Sequence, residues 1–264
     1  MIVGMLATYP PRSATLRAAV ASVAPQLDRL VLVLNDHDRV PDWLAGHPNV
    51  TPLIPETDTK DTGKYLAPPE GARWLFTLDD DILYPPDYVA RSLAGHARAA
   101  ERLGTERIMA GYMGWTYRRA RFLGARWIRR LIGYNPDYIA NSAQTVDFRA
   151  ALERARIVEG LGTGVALMRA ADAPPFDHVR DAQRFIDVRL GSWCHEQGIL
   201  QLCLPHPAGW LRDAHDGAQG DSIFETFTLR PPSHVADEIW RMAFRNPRRG
   251  ETVDFGFADM AAPA

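Results

Sequence analysis

The stretch RWLFTLDDDILYPPDYV, residues 73–89, decides the fold. Its WLFTL core is a short apolar run without helical spacing, which reads as a strand buried on both faces. The run ends in Asp79, Asp80 and Asp81, meets a Pro-Pro stop, and is followed by apolar spacing that predicts a helix over 87–103. Similar apolar runs come earlier in IVGMLAT (2–8) and LVLVLND (30–36), with a weaker one in VTPLI (50–54). Between the first two, SATLRAAVASVAPQL (13–27) places Leu16, Val20 and Val23 at helical spacing behind Ser13, a candidate N-cap. Strands alternating with helices imply an α/β fold with a mainly parallel central sheet flanked by helices. Ligands of such sheets sit beyond the carboxyl ends of strands. Thr8, Asn35, Asp36 and Asp79 to Asp81 occupy those positions.

The second half reads less regularly. A strand is expected over 107–115, two short strands around Gly-Thr-Gly within 156–170, a helix over 181–199, a strand over 200–205 and a terminal helix over 233–244. The residues after Gly250 are expected to be loosely ordered. The 264 residues are 46% hydrophobic and 23% charged, enough for a large core in one or two domains. A net charge of -2 argues against a general nucleic-acid binder. Cys194 and Cys203 are too few for a disulfide scaffold and lack paired zinc spacing. LVLVL is too short to span a membrane, and MIVGMLATYPPR has no basic leader, so a cytoplasmic location is expected.

Residues two apart on an extended chain share a side, so Asp79 and Asp81 converge while Asp80 points away. Two adjacent carboxylates repel unless a cation or donor offsets them, and magnesium or manganese suits their oxygens. That combination fits departure of a diphosphate, whose developing charge the ion takes up. The plainer reading is a solvated acidic turn in which Asp87 caps the next helix.

ATYPPR, VLND, DTGKY (61–65) and TLDDDILYPPDYV (77–89), in this order, resemble bacterial family 2-type glycosyltransferases of the GT-A fold, in particular those of capsule and surface-polysaccharide synthesis. The resemblance covers most of 3–90 and resumes at GLGTGVALMR, FIDVRL, GILQLCLP and DSIFETF. It implies a GT-A-like (Rossmann-like) catalytic domain over 1–250, with a nucleotide-binding half at 1–105, an acceptor half at 106–250 and a tail at 251–264. It implies a nucleotide-sugar donor, such as a uridine diphosphate sugar, a glycan or lipid-linked acceptor, Mn2+ or Mg2+, and inversion at the anomeric carbon.

Residue by residue, the resemblance puts Thr8, Tyr9 and Arg12 near the base and ribose, where the two prolines of ATYPPR equally make an ordinary turn. Asn35 and Asp36 would touch the nucleobase, or form an Asx-turn. Asp61 would accept from base or ribose, and Lys64 would stand by the diphosphate; Thr62 replaces the asparagine usual between them. Asp79 would approach the ribose and ligate the ion with Asp81, and Asp80 would hold donor-sugar hydroxyls, although the division of labour among the three is open. Asp187 of FIDVRL would be the catalytic base, with Asp181 and Glu196 in reserve. Ile186 stands where many relatives carry an acid, and Asp187 could instead pair with Arg184 or Arg189. His215 would be a third metal ligand, and GLGTG would bring bare backbone near a substrate or simply turn a hairpin.

Residues 115–134 carry arginines at 118, 119, 121, 126, 129 and 130 and no acid. The segment suits peripheral contact with anionic lipid of the inner membrane, an anionic acceptor glycan, or a solvated basic face. Two rivals stand beside glycosyl transfer. A nucleotidyltransferase acting on sugar phosphates would carry a glycine-rich loop after the first strand, and ATYPPR has no glycine. A non-catalytic binding protein of the same fold would tolerate loss of the base.

Overall fold

The computed structural model describes residues 1–117, 142–214 and 233–261. The strands are β1 (Ile2–Thr8), β2 (Arg29–Leu34), β3 (Val50–Leu53), β4 (Trp74–Leu78), β5 (Ile82–Leu83), β6 (Ile108–Gly111), β7 (Gly114–Tyr117), β8 (Ala143–Val146), β9 (Ala155–Val158), β10 (Gly160–Leu161), β11 (Val165–Arg169), β12 (Leu200–Cys203), β13 (Arg212–Asp213) and β14 (Thr252–Val253). The α-helices are α1 (Ser13–Val23), α2 (Tyr88–Leu103), α3 (Phe176–Val179), α4 (Ile186–Glu196) and α5 (Ser233–Met242).

One nine-stranded sheet runs through both halves of the chain in the order β14-β9-β12-β6-β11-β4-β1-β2-β3. β9 and β11 run against the other strands, so the sheet is mixed but predominantly one-directional. Alternation along β2 shows why its sequence is apolar throughout. Leu30, Leu32 and Leu34 join the core under α1 and α2, while Val31 and Val33 join the core on the other face with residues of α4 and α5.

Local chemistry trims the expected elements. α1 stops at Val23 and gives way to a 3-10 turn, because Pro25 has no N–H to continue it. Ser13 is helical rather than an N-cap, its hydroxyl donating to the Pro10 carbonyl at 2.6 Å. Asp87 sits at the N-cap of α2 without a capping bond; its carboxylate instead pairs with Arg91 and accepts from the Trp210 indole. α2 ends at Gly104, whose φ of 67° is left-handed. The expected 107–115 strand divides into β6 and β7, which belong to different sheets. The expected 181–199 helix is confined to α4, because Arg184 at φ 71° and Gly198 at φ 66° interrupt helical geometry on either side.

The stretch after Gly250 departs from expectation most. β14 pairs antiparallel with β9, and Phe255 and Met260 are buried beneath it. Two large apolar side chains give this end a reason to stay docked. Among the described residues no helix is long and apolar enough to cross a membrane. Arg118 to Tyr134, most of the basic segment, lie outside the described residues.

Candidate functional site

The site forms where parallel strands end. Thr8 closes β1, Asn35 follows β2 and Asp79 follows β4, so all three arrive at one sheet edge. β11 is antiparallel to β4, with Val165 opposite Leu78, and its start therefore reaches the same edge. This brings Thr163 and Gly164 against Asp79. A Cβ built on Gly164 would fall 1.9 Å from Asp79 Oδ2, and one on Gly160 2.2 Å from the Trp115 ring. Neither glycine has a positive φ; both are needed for room. Tyr84 locks this contact, its hydroxyl accepting from the Asp79 N–H at 2.8 Å and donating to the Gly164 carbonyl at 2.7 Å.

The three aspartates find different partners. Asp79 pairs with Lys64, and Asp81 accepts from Arg12 Nη1 at 2.8 Å. Asp80 turns inward and accepts from the Thr8 hydroxyl at 2.6 Å. Burial, with the charges of Asp79 and Asp81, pushes the Asp80 carboxyl up to about 6, against the Thr8 bond and Arg12. Burial and Asp79 also raise Asp81, against Arg12 and Lys64. The chain reaches Ala214 beside this cluster, its N–H donating to the Asp81 carbonyl at 2.7 Å. His215 follows and lies outside the described residues.

Lys64 stands on a 3-10 turn, Lys60–Tyr65, and its side chain is only 5% exposed. Gly63 allows that turn to press on the sheet, since a Cβ there would meet Thr59 Oγ1 at 2.6 Å and Val33 at 3.0 Å. Asn35 organises the same turn: its Oδ1 accepts from the N–H and hydroxyl of Thr59 at 2.8 and 2.7 Å, and its Nδ2 donates to the Lys60 carbonyl at 3.1 Å. These bonds occupy the Asn35 side chain with the loop, in place of an Asx-turn. Thr62 is likewise structural, its hydroxyl donating to the Thr59 carbonyl at 2.6 Å. Asp36 is exposed, with φ 54°. Tyr9 is 45% exposed and lies beside Arg12.

Asp187 enters from the second half of the chain, in the first turn of α4. It pairs with neither Arg184 nor Arg189. Its Oδ1 accepts from the Thr163 N–H at 3.0 Å and the Thr163 hydroxyl at 2.7 Å. Burial pushes its carboxyl up to about 6, with Asp79 adding to the rise and Lys64 and Thr163 opposing it. Lys64 Nζ also reaches the Thr163 carbonyl at 3.3 Å and its hydroxyl at 3.4 Å. Burial works against the charged ammonium, yet the pairing with Asp79 outweighs it and holds Lys64 above the ordinary lysine value. Asp61 ties the two halves together, accepting from the Arg184 N–H at 2.8 Å. Burial raises its carboxyl as well.

Arg12, Lys64, Asp79, Asp81, Thr163 and Asp187 therefore line one locus. The reserve acids do not join it. Asp181 pairs with Arg189 at 2.8 Å, and Glu196 is exposed at the far end of α4, about 13 Å along the axis from Asp187. Thr163 and Tyr84 are the participants that residue-by-residue reading missed. The signal for Thr163 was a hydroxyl residue between two glycines just ahead of a buried strand. Among the described residues, no group of three or more histidine, cysteine or acidic side chains is arranged to hold a metal ion. No protein-family model matches the chain, and no curated protein matches it in sequence.

Proposed function

We propose that this protein is a glycosyltransferase with a GT-A-like fold, moving a sugar from a nucleotide donor, a uridine diphosphate sugar, to a hydroxyl of a glycan or lipid-linked acceptor with inversion. One observation carries the reading: two carboxylates from opposite halves of the chain meet across a buried lysine. Lys64 pairs with Asp79 and reaches Thr163, which in turn holds Asp187. The first carboxylate belongs to a charged wall suited to a diphosphate, the second to a wall suited to proton transfer.

On the charged wall, Lys64 and Arg12 supply positive charge for phosphate oxygens, Arg12 as a planar fork and Lys64 as a point charge. Asp79 and Asp81 would hold a divalent ion beside them. Asp79 and Asp81 each keep one carboxylate oxygen without a hydrogen bond among the described residues, and the charge of Asp79 bears on Asp81. Two carboxylates are a usual protein share for magnesium or manganese, with substrate phosphates and water completing the shell. When bound, the ion takes up charge that develops on the leaving diphosphate. On the other wall, Asp187 accepts the proton of the acceptor hydroxyl, and its value of about 6 leaves it ionised yet basic at neutral pH.

A thermal-shift panel of nucleoside diphosphates, with and without Mn2+, tests the reading through ligand-linked stability. Uridine diphosphate is expected to raise the melting temperature when Mn2+ is present. If no nucleoside diphosphate does so, the reading falls.

A further inference from the structure

We propose that Thr163 is a positioning residue for this transfer: its N–H and hydroxyl pin one oxygen of Asp187, leaving the other to take the acceptor's proton. The inference rests on the glycosyl-transfer reading and deepens it. Thr163 is buried, and both of its donors converge on Asp187 Oδ1, at 3.0 and 2.7 Å. Asp187 Oδ2 has no hydrogen bond among the described residues. A carboxylate held through one oxygen at two points has lost its freedom to rotate, so its second oxygen presents one direction to a substrate.

The Thr163 hydroxyl is itself oriented. Its proton is committed to Asp187, and its oxygen faces Lys64 Nζ at 3.4 Å, while the Thr163 carbonyl faces the same ammonium at 3.3 Å. Asp79, Lys64, Thr163 and Asp187 therefore form one polar chain from the charged wall to the base. In the reaction, the acceptor oxygen bonds to the anomeric carbon as the bond to the diphosphate breaks. The diphosphate leaves with the electron pair, and the acceptor proton passes to Asp187 Oδ2. The charged and titratable groups acting on Asp187 are Lys64, Asp79 and Tyr65, from the 60–65 turn and the end of β4. The Thr163 side chain adds a neutral donor that favours the ionised form.

The test uses the full chain with Mn2+ and a panel of uridine diphosphate sugars, following release of uridine diphosphate with water as acceptor. Thr163→Val is expected to lower kcat by about 10- to 100-fold, the range for a misoriented catalytic group, with the donor KM little changed. It is also expected to move the acid limb of the kcat profile to higher pH. Thr163→Ser restores the hydroxyl and is expected to recover both properties; Thr163→Ala serves if the valine variant does not fold. Unchanged kcat and acid limb in the valine or alanine variant, or a serine variant as impaired as the valine, overturns the role of Thr163. Asp187→Asn separates the levels: if it turns over like wild type, Asp187 is not the base and Thr163 has nothing to position, whereas if wild type turns over no donor, the transfer reading itself is overturned.

Discussion

The two walls of the site hold their carboxylates by different means. On the wall built by β1, β4 and the 60–65 turn, Asp79 and Asp81 each touch a cation, Lys64 and Arg12. On the wall built by α4 and the residues before β11, the hydrogen bonds Asp187 accepts among the described residues come from the neutral donors of one threonine. The difference is chemical. Cations paired with carboxylates are free to exchange partners when phosphate arrives, because the exchange conserves charge pairing. A half-buried carboxylate held by neutral donors has no such exchange available, and its partial desolvation keeps its proton affinity high. The first wall is built to rearrange charge, the second to keep one oxygen aimed.

The largest effect should come from breaking the second wall alone. Asp187→Asn keeps the shape and an acceptor for both Thr163 donors while removing the proton-accepting charge. Turnover is expected to fall by about 10²- to 10⁴-fold, the usual contribution of a general base. Uridine diphosphate affinity, measured by calorimetry with Mn2+, is expected to stay within about twofold, since the charged wall is intact. A parallel loss of affinity would erase the distinction between the walls.

Breaking the first wall should instead cost stability. Lys64→Met keeps the buried aliphatic stem but strands Asp79 without its cation. Removing one partner of a fully buried pair costs about 3–5 kcal/mol. Here the Lys64 side chain is 5% exposed but Asp79 is 39% exposed, so water shares the burden. A loss of about 2 kcal/mol in urea unfolding is expected, together with weaker uridine diphosphate binding. A variant as stable as wild type would mean that Asp79 needs no counter-charge from the protein.

The first wall was far more legible in the sequence than the second. Thr8, Arg12, Lys64 and Asp79 to Asp81 lie on or directly after apolar runs, or on short turns between them, and strand-end positions announce themselves by a switch from apolar to charged residues. The second wall depends on an antiparallel strand. Nothing local in GLGTGVALMR says that β11 runs against β4, yet that reversal is what carries Thr163 to Asp187 and Gly164 to Asp79. Asn35 is a different case: its strand-end position left a nucleobase contact and an Asx-turn equally open, and its side chain bonds Thr59 and the Lys60 carbonyl. The C-terminal strand β14 escaped notice because two residues give no periodicity, and only the burial of Phe255 and Met260 explains its docking.

The smallest expected effect is also the sharpest on how the walls differ, because it appears in stability and not in turnover. The Asp187 carboxyl is pushed up to about 6 in the folded protein, above its value in an unfolded chain. Between the two values the folded state binds more protons than the unfolded one, so stability falls as pH rises through that window. At pH 8 the ionised Asp187 is therefore a net cost, which Asp187→Asn removes while retaining both Thr163 bonds. The variant is expected to be more stable than wild type by about 1–2 kcal/mol at pH 8, with the advantage vanishing near pH 3, where wild-type Asp187 is protonated in the folded state and largely so in the unfolded. Asp80→Asn offers the matching measurement on the first wall, since burial also lifts Asp80 to about 6 and, among the described residues, its carboxylate accepts a hydrogen bond from Thr8 alone. If urea unfolding of the Asp187 variant followed the wild-type curve at every pH, burial would not be what holds this carboxyl up, and the contrast between the walls would reduce to geometry alone.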